Sequence, residues 1–417
     1  MALVLAARIA HLGGMSDAAN RPAYLDNHAT TPADPRVLAA MRPWWEANFA
    51  NPASIEHAMG REAEAAVEAA RGHVAALIGA EPREVVFTSG ATESNNLAIK
   101  GAARFAAAGG AARGAAPGGA ERRRIITLAT EHKCVLECVR DLAAEGFEPV
   151  VLPVRPDGLL DPELLREALA TPTLLVSVMA VNNEIGVVQD IAAIAAMARG
   201  AGALFHTDAA QAAARLPLDV AAMGIDLLSL SAHKVYGPKG IGALYVRRRP
   251  RVRLAPLFSG GGQERGLRSG TLPAPLVIGF GEAARVARLE MRLDEGRATQ
   301  QRDRLLAALE AEIPGIRMNG NRDRRVAGNL NLTLPGGVDA QAVMAAAPGV
   351  CVSTGSACSS ASVEPSYVLR ALGLPEDEAR ATLRIGIGRF TSPAEVGRAA
   401  AELARAWHSV RHQRAAE

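Results

Sequence analysis

The strongest constraint in this chain is an alternation. Apolar runs of strand length (Val85–Thr88, Arg124–Leu128, Glu148–Leu152, Leu174–Met179, Ala203–His206, Leu227–Ser231 and Gly242–Val246) are mostly separated by stretches of helical character such as Arg61–Ile78 and Asp190–Arg199. Continuous apolar runs suit strands covered on both faces, and the intervening helices supply the cover. The pattern therefore predicts an α/β fold on a mostly parallel sheet. Chemistry in such sheets gathers in loops just past the carboxyl ends of the strands. After about residue 285 the pattern changes to a long helix, Ala287–Glu312, then strands at Asn329–Leu334 and Gly349–Ser353, then further helices. This predicts a large unit over 21–285 and a smaller α+β unit over 286–417. Residues 1–20 read as a loose extension, and the low-complexity stretch 106–121 as a flexible surface insertion.

Composition narrows the function classes. Hydrophobic residues make up 49% and charged residues 21%, the balance of a globular chain. No apolar run reaches the roughly 18 residues of a membrane-spanning helix. The run Arg247-Arg248-Arg249-Pro250-Arg251-Val252-Arg253 has no interleaved aromatics, so a solvated edge fits it better than a nucleic-acid site. The N-terminus lacks the basic start of a secretory signal, which leaves a cytoplasmic protein as the expectation. Of four cysteines, Cys134 and Cys138 are spaced i, i+4 in a helical stretch and Cys351 lies in an apolar strand. With no CxxC pair, neither a disulfide framework nor a metal site is expected. Cys358 differs, because it lies among small residues, Ser353 to Ser362, that cannot build a packed core.

Five motifs carry chemistry. The strand before Ser231-Ala232-His233-Lys234 delivers a lysine flanked by a hydroxyl and an imidazole, which suits a Schiff base with an aldehyde cofactor. Taken alone, such a lysine is more often solvated. His206-Thr207-Asp208 brings a carboxylate to another strand end, either as a helix N-cap or as the anion that pyridoxal phosphate needs beside its ring nitrogen. Thr88-Ser89-Gly90-Ala91-Thr92 turns from strand to helix without the GK[ST] of a nucleotide loop, and its open N–H groups suit a phosphate. His132 is placed to stack on a flat ring and move protons, against the commoner structural role of a lone histidine. Asn182-Asn183 offers amide donors to a phenolate oxygen.

In that order the motifs resemble the group I cysteine desulfurases of the nitrogen-fixation and housekeeping iron–sulfur type, within the class V aminotransferase superfamily. The resemblance runs from about Tyr24 to Thr391. It is carried by YLDNHATTP at 24–32, FTSGATESNNLAIKG at 87–101, TEHK at 130–133, VNNEIGVVQD at 181–190, HTDAAQ at 206–211, SAHKVYGPKG at 231–240, GGQERGLRSGT at 261–271 and STGSACSSASVEPSYVLRALG at 353–373. It implies the aspartate-aminotransferase type of fold, fold type I, with a seven-stranded mixed sheet in the large domain. It implies pyridoxal 5'-phosphate tethered to Lys234, with Asp208 at the ring nitrogen and His132 stacked on the ring. Asn183 and Gln211 would bond the oxygen side, and Ala91, Thr92, Ser231 and His233 would hold the phosphate. Thr271 would arrive from the second subunit of a homodimer. Arg384 would clamp the carboxylate of L-cysteine, beside Asn183. Cys358, on a mobile loop over about 353–364, would receive the sulfur as a persulfide.

The implied reaction yields alanine and passes sulfur to an acceptor protein, such as an iron–sulfur scaffold or another sulfurtransferase. No direct contact with nucleic acid or membrane is implied. The chain ends soon after Trp407-His408-Ser409-Val410, without the longer tail by which housekeeping members are thought to grip a scaffold. His28 stands where relatives vary and receives no role. Two alternatives use much of the same chain: a selenocysteine lyase or other β-eliminating lyase, and a catalytically lapsed sulfur-transfer partner.

Overall fold

The computed structural model describes residues 21–109, 122–354 and 364–416. The extension at 1–20, most of the insertion read at 106–121, and Cys358 lie outside them. Twelve strands are described: β1 (Ala23–Tyr24), β2 (Val85–Thr88), β3 (Arg124–Leu128), β4 (Glu148–Leu152), β5 (Thr173–Ser177), β6 (Leu204–Asp208), β7 (Leu227–Ser231), β8 (Gly242–Val246), β9 (Arg317–Met318), β10 (Asn329–Thr333), β11 (Val350–Cys351) and β12 (Thr382–Gly386). Seven form one sheet in the order β2-β8-β7-β6-β5-β3-β4. β8 runs antiparallel to both its neighbours. The other adjacent pairs are parallel. This is the mixed, mostly parallel α/β sheet expected of fold type I.

Side chains alternate across this sheet because successive Cβ atoms point to opposite faces. Val85, Phe87, Ile126, Val176, Phe205 and Leu228 enter one buried cluster with Val67, Val74 and Phe280. Val86, Ile125, Leu175, Leu204 and Leu227 enter a second, with Leu97 and Leu142. A third cluster, with Leu25, Leu305, Leu332, Leu383, Ile385, Leu403 and Trp407, surrounds the antiparallel sheet β12-β10-β9. β1 pairs with β11 and packs with this third cluster, although Ala23 and Tyr24 lie at the opposite end of the sequence.

One helix, Ala274–Glu312, links the clusters and crosses position 285 without interruption. Val277, Phe280 and Ala284 serve the first cluster, and Leu305 and Leu309 the third. It begins thirteen residues before the expected Ala287. Gly279 and Gly281 weaken the helical pattern in that turn, and packing requires them: a Cβ on Gly281 would sit 2.5 Å from the Ala70 Cα. The last helix, Pro393–Ala416, starts with a capping box. Ser392 Oγ accepts the Glu395 N–H at 3.2 Å, and the Glu395 carboxylate accepts the Ser392 N–H at 2.8 Å. No helix among the described residues is long and apolar enough to cross a membrane. In the basic run, Arg247 is buried and paired with Asp226 at 3.2 Å, whereas the other four arginines are exposed.

Candidate active site

A cavity of about 570 Å³ opens where several strands of the large sheet end. It is lined by Ala91, Thr92, His132, Asn183, Asp208, Gln211, Ser231, His233, Lys234 and Arg384, ten of the twelve residues singled out from the sequence. Of the other two, Thr271 is exposed and does not line the cavity of its own chain, and Cys358 lies outside the described residues.

Each wall follows from local structure. β2 ends at Thr88, and Gly90 turns the chain at φ +156° and ψ −179°, a conformation essentially reserved for glycine. The helix Ala91–Ala107 then starts with no side-chain cap, so its first turn, at Ala91 and Thr92, faces the cavity. β6 runs two residues further than its apolar stretch suggests and holds Asp208 as its last residue. Asp208 is buried. Its Oδ1 accepts the Ala210 N–H at 2.9 Å and its Oδ2 accepts Asn95 Nδ2 at 2.7 Å. Lys234, just past β7, donates its Nζ to the carbonyls of His28 and of Ala29, the latter at 2.8 Å.

His132 is the N-cap of the helix Lys133–Asp141, and its Nδ1 accepts the Cys134 N–H at 3.2 Å. The neutral ring therefore carries its proton on Nε2. Cys134 also lines the cavity, with its Sγ 3.0 Å from the same Nδ1 and 3.1 Å from Asn95 Nδ2. His233 bonds Thr30 Oγ1 at 3.0 Å. Burial, reinforced by Lys234 and Lys239, lowers its pKa to about 4, so it is neutral at pH 7. Arg384, on β12, is buried and pairs with Asp26 at 2.9 Å, and its Nη1 donates to the Asn183 carbonyl at 3.3 Å.

His28, without a role from sequence, has one here. Its Nδ1 donates to Gln211 Oε1 at 3.1 Å, and Gln211 Nε2 returns a bond to the His28 carbonyl at 2.8 Å. Burial, with Arg215 and Arg384 nearby, holds this imidazole well below its usual pKa. The pair fixes the Gln211 amide and leaves it one further N–H. Asn95 and Cys134 also escaped the sequence reading, because a polar residue inside a helix shows its partner only after folding. Glu131, beside His132, is buried with its Oε1 accepting the Met179 N–H at 2.6 Å. Burial raises its pKa well above the usual carboxylate range.

These groups fit pyridoxal phosphate. A buried carboxylate with only neutral donors suits a protonated ring nitrogen, an uncapped helix start suits a phosphate, and an amine lies between them. The volume falls within the range of small-molecule sites.

Comparison with known proteins agrees. The family described as Aminotransferase class-V matches residues 23–398. The chain is 51% identical over 375 residues to a cysteine desulfurase IscS of Rickettsia bellii, covering 90% of this chain and 88% of that one. It is 52% identical over 380 residues to a mitochondrial cysteine desulfurase of Arthroderma benhamiae, covering 91% and 73%. Among solved structures, a NifS-like protein superposes with a TM-score of 0.82 at 32% identity, covering 92% of this chain and 98% of that one. SspA in complex with cysteine superposes at 0.75 with 40% identity, covering 88% and 99%. With the cavity, the fold and these relatives in agreement, the chain belongs to the class-V aminotransferase family and, within it, to the pyridoxal-phosphate-dependent group I cysteine desulfurases.

Proposed function

We propose that this cavity converts L-cysteine to L-alanine and passes the sulfur to Cys358 as a persulfide, from which an acceptor protein takes it. The observation that most supports this is the convergence of ten residues from separate motifs on one cavity. When bound, pyridoxal phosphate supplies an aldehyde that joins an amine and a ring that draws electrons from the adjacent carbon.

The chain's own residues do the rest. Lys234 Nζ would hold the cofactor and, as a free amine, would take the substrate Cα proton. Asp208 would face the ring nitrogen and accept its N–H. The start of the helix at Ala91 and Thr92 binds the phosphate with Ser231 and with His233, whose neutral ring adds no charge there. Gln211, held by His28, and Asn183 donate to the oxygen side. Arg384, kept in place by Asp26, binds the substrate carboxylate through its planar fork. His132 stacks and exchanges protons at Nε2, since Nδ1 serves the helix cap. Cys358 attacks as thiolate: the S–S bond forms as the substrate C–S bond breaks, and the carbon keeps the electron pair until a proton completes alanine. At the ordinary thiol pKa only about 3% is ionised at pH 7, a cost of roughly 2 kcal/mol that proton acceptance by His132 would offset.

A homodimer is part of the proposal. Thr271 is exposed in its own chain, and Leu38, Trp45, Phe49 and Ile55 leave apolar surface that a second copy would cover. So are the division near residue 285, with the helix Ala274–Glu312 as a shared strut, and action in the cytoplasm, which suits three free cysteines among the described residues.

The test is to incubate pure protein with L-cysteine and a reductant. Alanine and sulfide in equal amounts are expected. Pyruvate with ammonia would indicate a β-eliminating lyase, and bound cofactor without product a binding partner. Cys358→Ala should stop sulfide release while keeping the cofactor absorbance; undiminished release would remove Cys358 from the reaction.

A further inference from the structure

We propose that Asn95 is a positioning residue that holds the Asp208 carboxylate turned toward the cofactor. This rests on the reading of Asp208 as the partner of the ring nitrogen. Asn95 sits one turn into the helix Ala91–Ala107 and is fully buried. Its two amide hydrogens are both committed. One goes to Asp208 Oδ2 at 2.7 Å, the other to Cys134 Sγ at 3.1 Å. Its Oδ1 is buried with no hydrogen-bond partner. Turning the amide over would satisfy that oxygen no better and would set it against a carboxylate, so the charge on Asp208 fixes which end points where.

A buried amide with an unsatisfied oxygen is costly, and an apolar side chain of the same shape would avoid that cost. What the amide provides is a neutral donor. A neutral donor orients the carboxylate oxygens without competing for the charge that a protonated ring nitrogen would meet. A lysine or arginine at position 95 would neutralise Asp208 and compete for it. Asn95 on Oδ2 and the Ala210 N–H on Oδ1 give each oxygen one uncharged donor and leave the negative charge for the ligand. The second amide hydrogen, on Cys134, stops the side chain from rotating. Cys134 in turn lies against His132 Nδ1, so one polar chain joins the Asp208 carboxylate to the imidazole.

The test compares two cofactors on cofactor-free full-length protein by absorbance titration: pyridoxal phosphate, and its analogue with carbon in place of the ring nitrogen. Asn95→Leu should raise the Kd for pyridoxal phosphate about tenfold, the loss of one hydrogen bond to a charged group, and leave the Kd for the analogue unchanged. Equal weakening for both would mean a merely structural role, and no weakening for either would mean none; each result overturns the proposal. If Asn95→Leu does not fold, Asn95→Ser, too short to span to Oδ2, carries the same comparison. Asp208→Ala should abolish the preference for the nitrogen-containing ring. If that variant keeps the wild-type preference, the reading of Asp208 falls and the role of Asn95 with it. If Asp208→Ala loses the preference while the Asn95 variants keep it, only the role of Asn95 falls.

Discussion

The two main sheets carry their polar side chains in different places. In the seven-stranded sheet they gather toward the carboxyl ends: Ser177 closes β5, Asp208 closes β6 and Ser231 closes β7. One lateral belt starts from such a strand end, where His206 bonds Ser177 Oγ at 2.8 Å and Ser229 Oγ at 3.0 Å. In the three-stranded sheet polar residues occupy alternate positions instead. Asn329, Asn331 and Thr333 on β10 stand beside Thr382 and Arg384 on β12, while Leu330, Leu332, Leu383 and Ile385 fill the third core. The polar face meets the loop after β5, where Asn329 Nδ2 reaches the Glu184 carbonyl at 3.1 Å. The large sheet thus builds the site from strand ends. The small sheet contributes one residue, Arg384, from the middle of a strand face that otherwise serves as a joint.

Three measurements would break or sharpen that contrast. The largest effect belongs to the belt. Burial lowers the His206 pKa from 6.5 to about 3. Between those values the unfolded chain binds a proton that the folded ring does not. The stability is therefore complete above about pH 6.5 and lost as the pH falls toward 3, by up to about 5 kcal/mol from this residue. His28 and His233 shift in the same direction. Denaturation midpoints across this range should fall less steeply in His206→Asn; an unchanged slope would clear His206 of any part in the acid sensitivity.

Next comes Arg384→Ala, at the point where the two sheets meet. Two lost hydrogen bonds to the substrate carboxylate should raise KM for L-cysteine about a hundredfold. Steady-state kinetics would show it, and an unaltered KM would mean that Arg384 belongs to the joint and not to the site. The smallest effect is expected from the joint itself. Asn331 Oδ1 accepts Asn319 Nδ2 at 2.9 Å, and its own Nδ2 donates to the Glu184 carbonyl at 3.3 Å. Asn331→Leu should cost about 1–2 kcal/mol in a denaturant titration, with KM unchanged. A large rise in KM would show that the polar face tunes the site as well as joining the two sheets.

Strand ends were legible because an apolar run that stops at a charged or hydroxyl residue marks its own boundary. β7 and its approach to Lys234 were read to the residue for that reason. β6 extends past the expected end at His206: Thr207 and Asp208 look like a loop, although both are buried. β1 could not be seen, since two residues have no periodicity and their partner strand lies more than three hundred positions away.

The order of motifs was sufficient to determine the alternating α/β architecture, the family, and most of the residues that meet in the cavity. Those features depend on local patterns and on side-chain types that chemistry demands at fixed points. Tertiary structure alone decided how these residues are held: the amide of Asn95 on Asp208, the clasp of His28 on Gln211, the cap that fixes the proton of His132, and Asp26 across from Arg384. Each of these contacts joins residues through space by a short directional bond. A linear pattern records which groups are available to form such bonds, but only the folded backbone brings a particular donor to a particular acceptor.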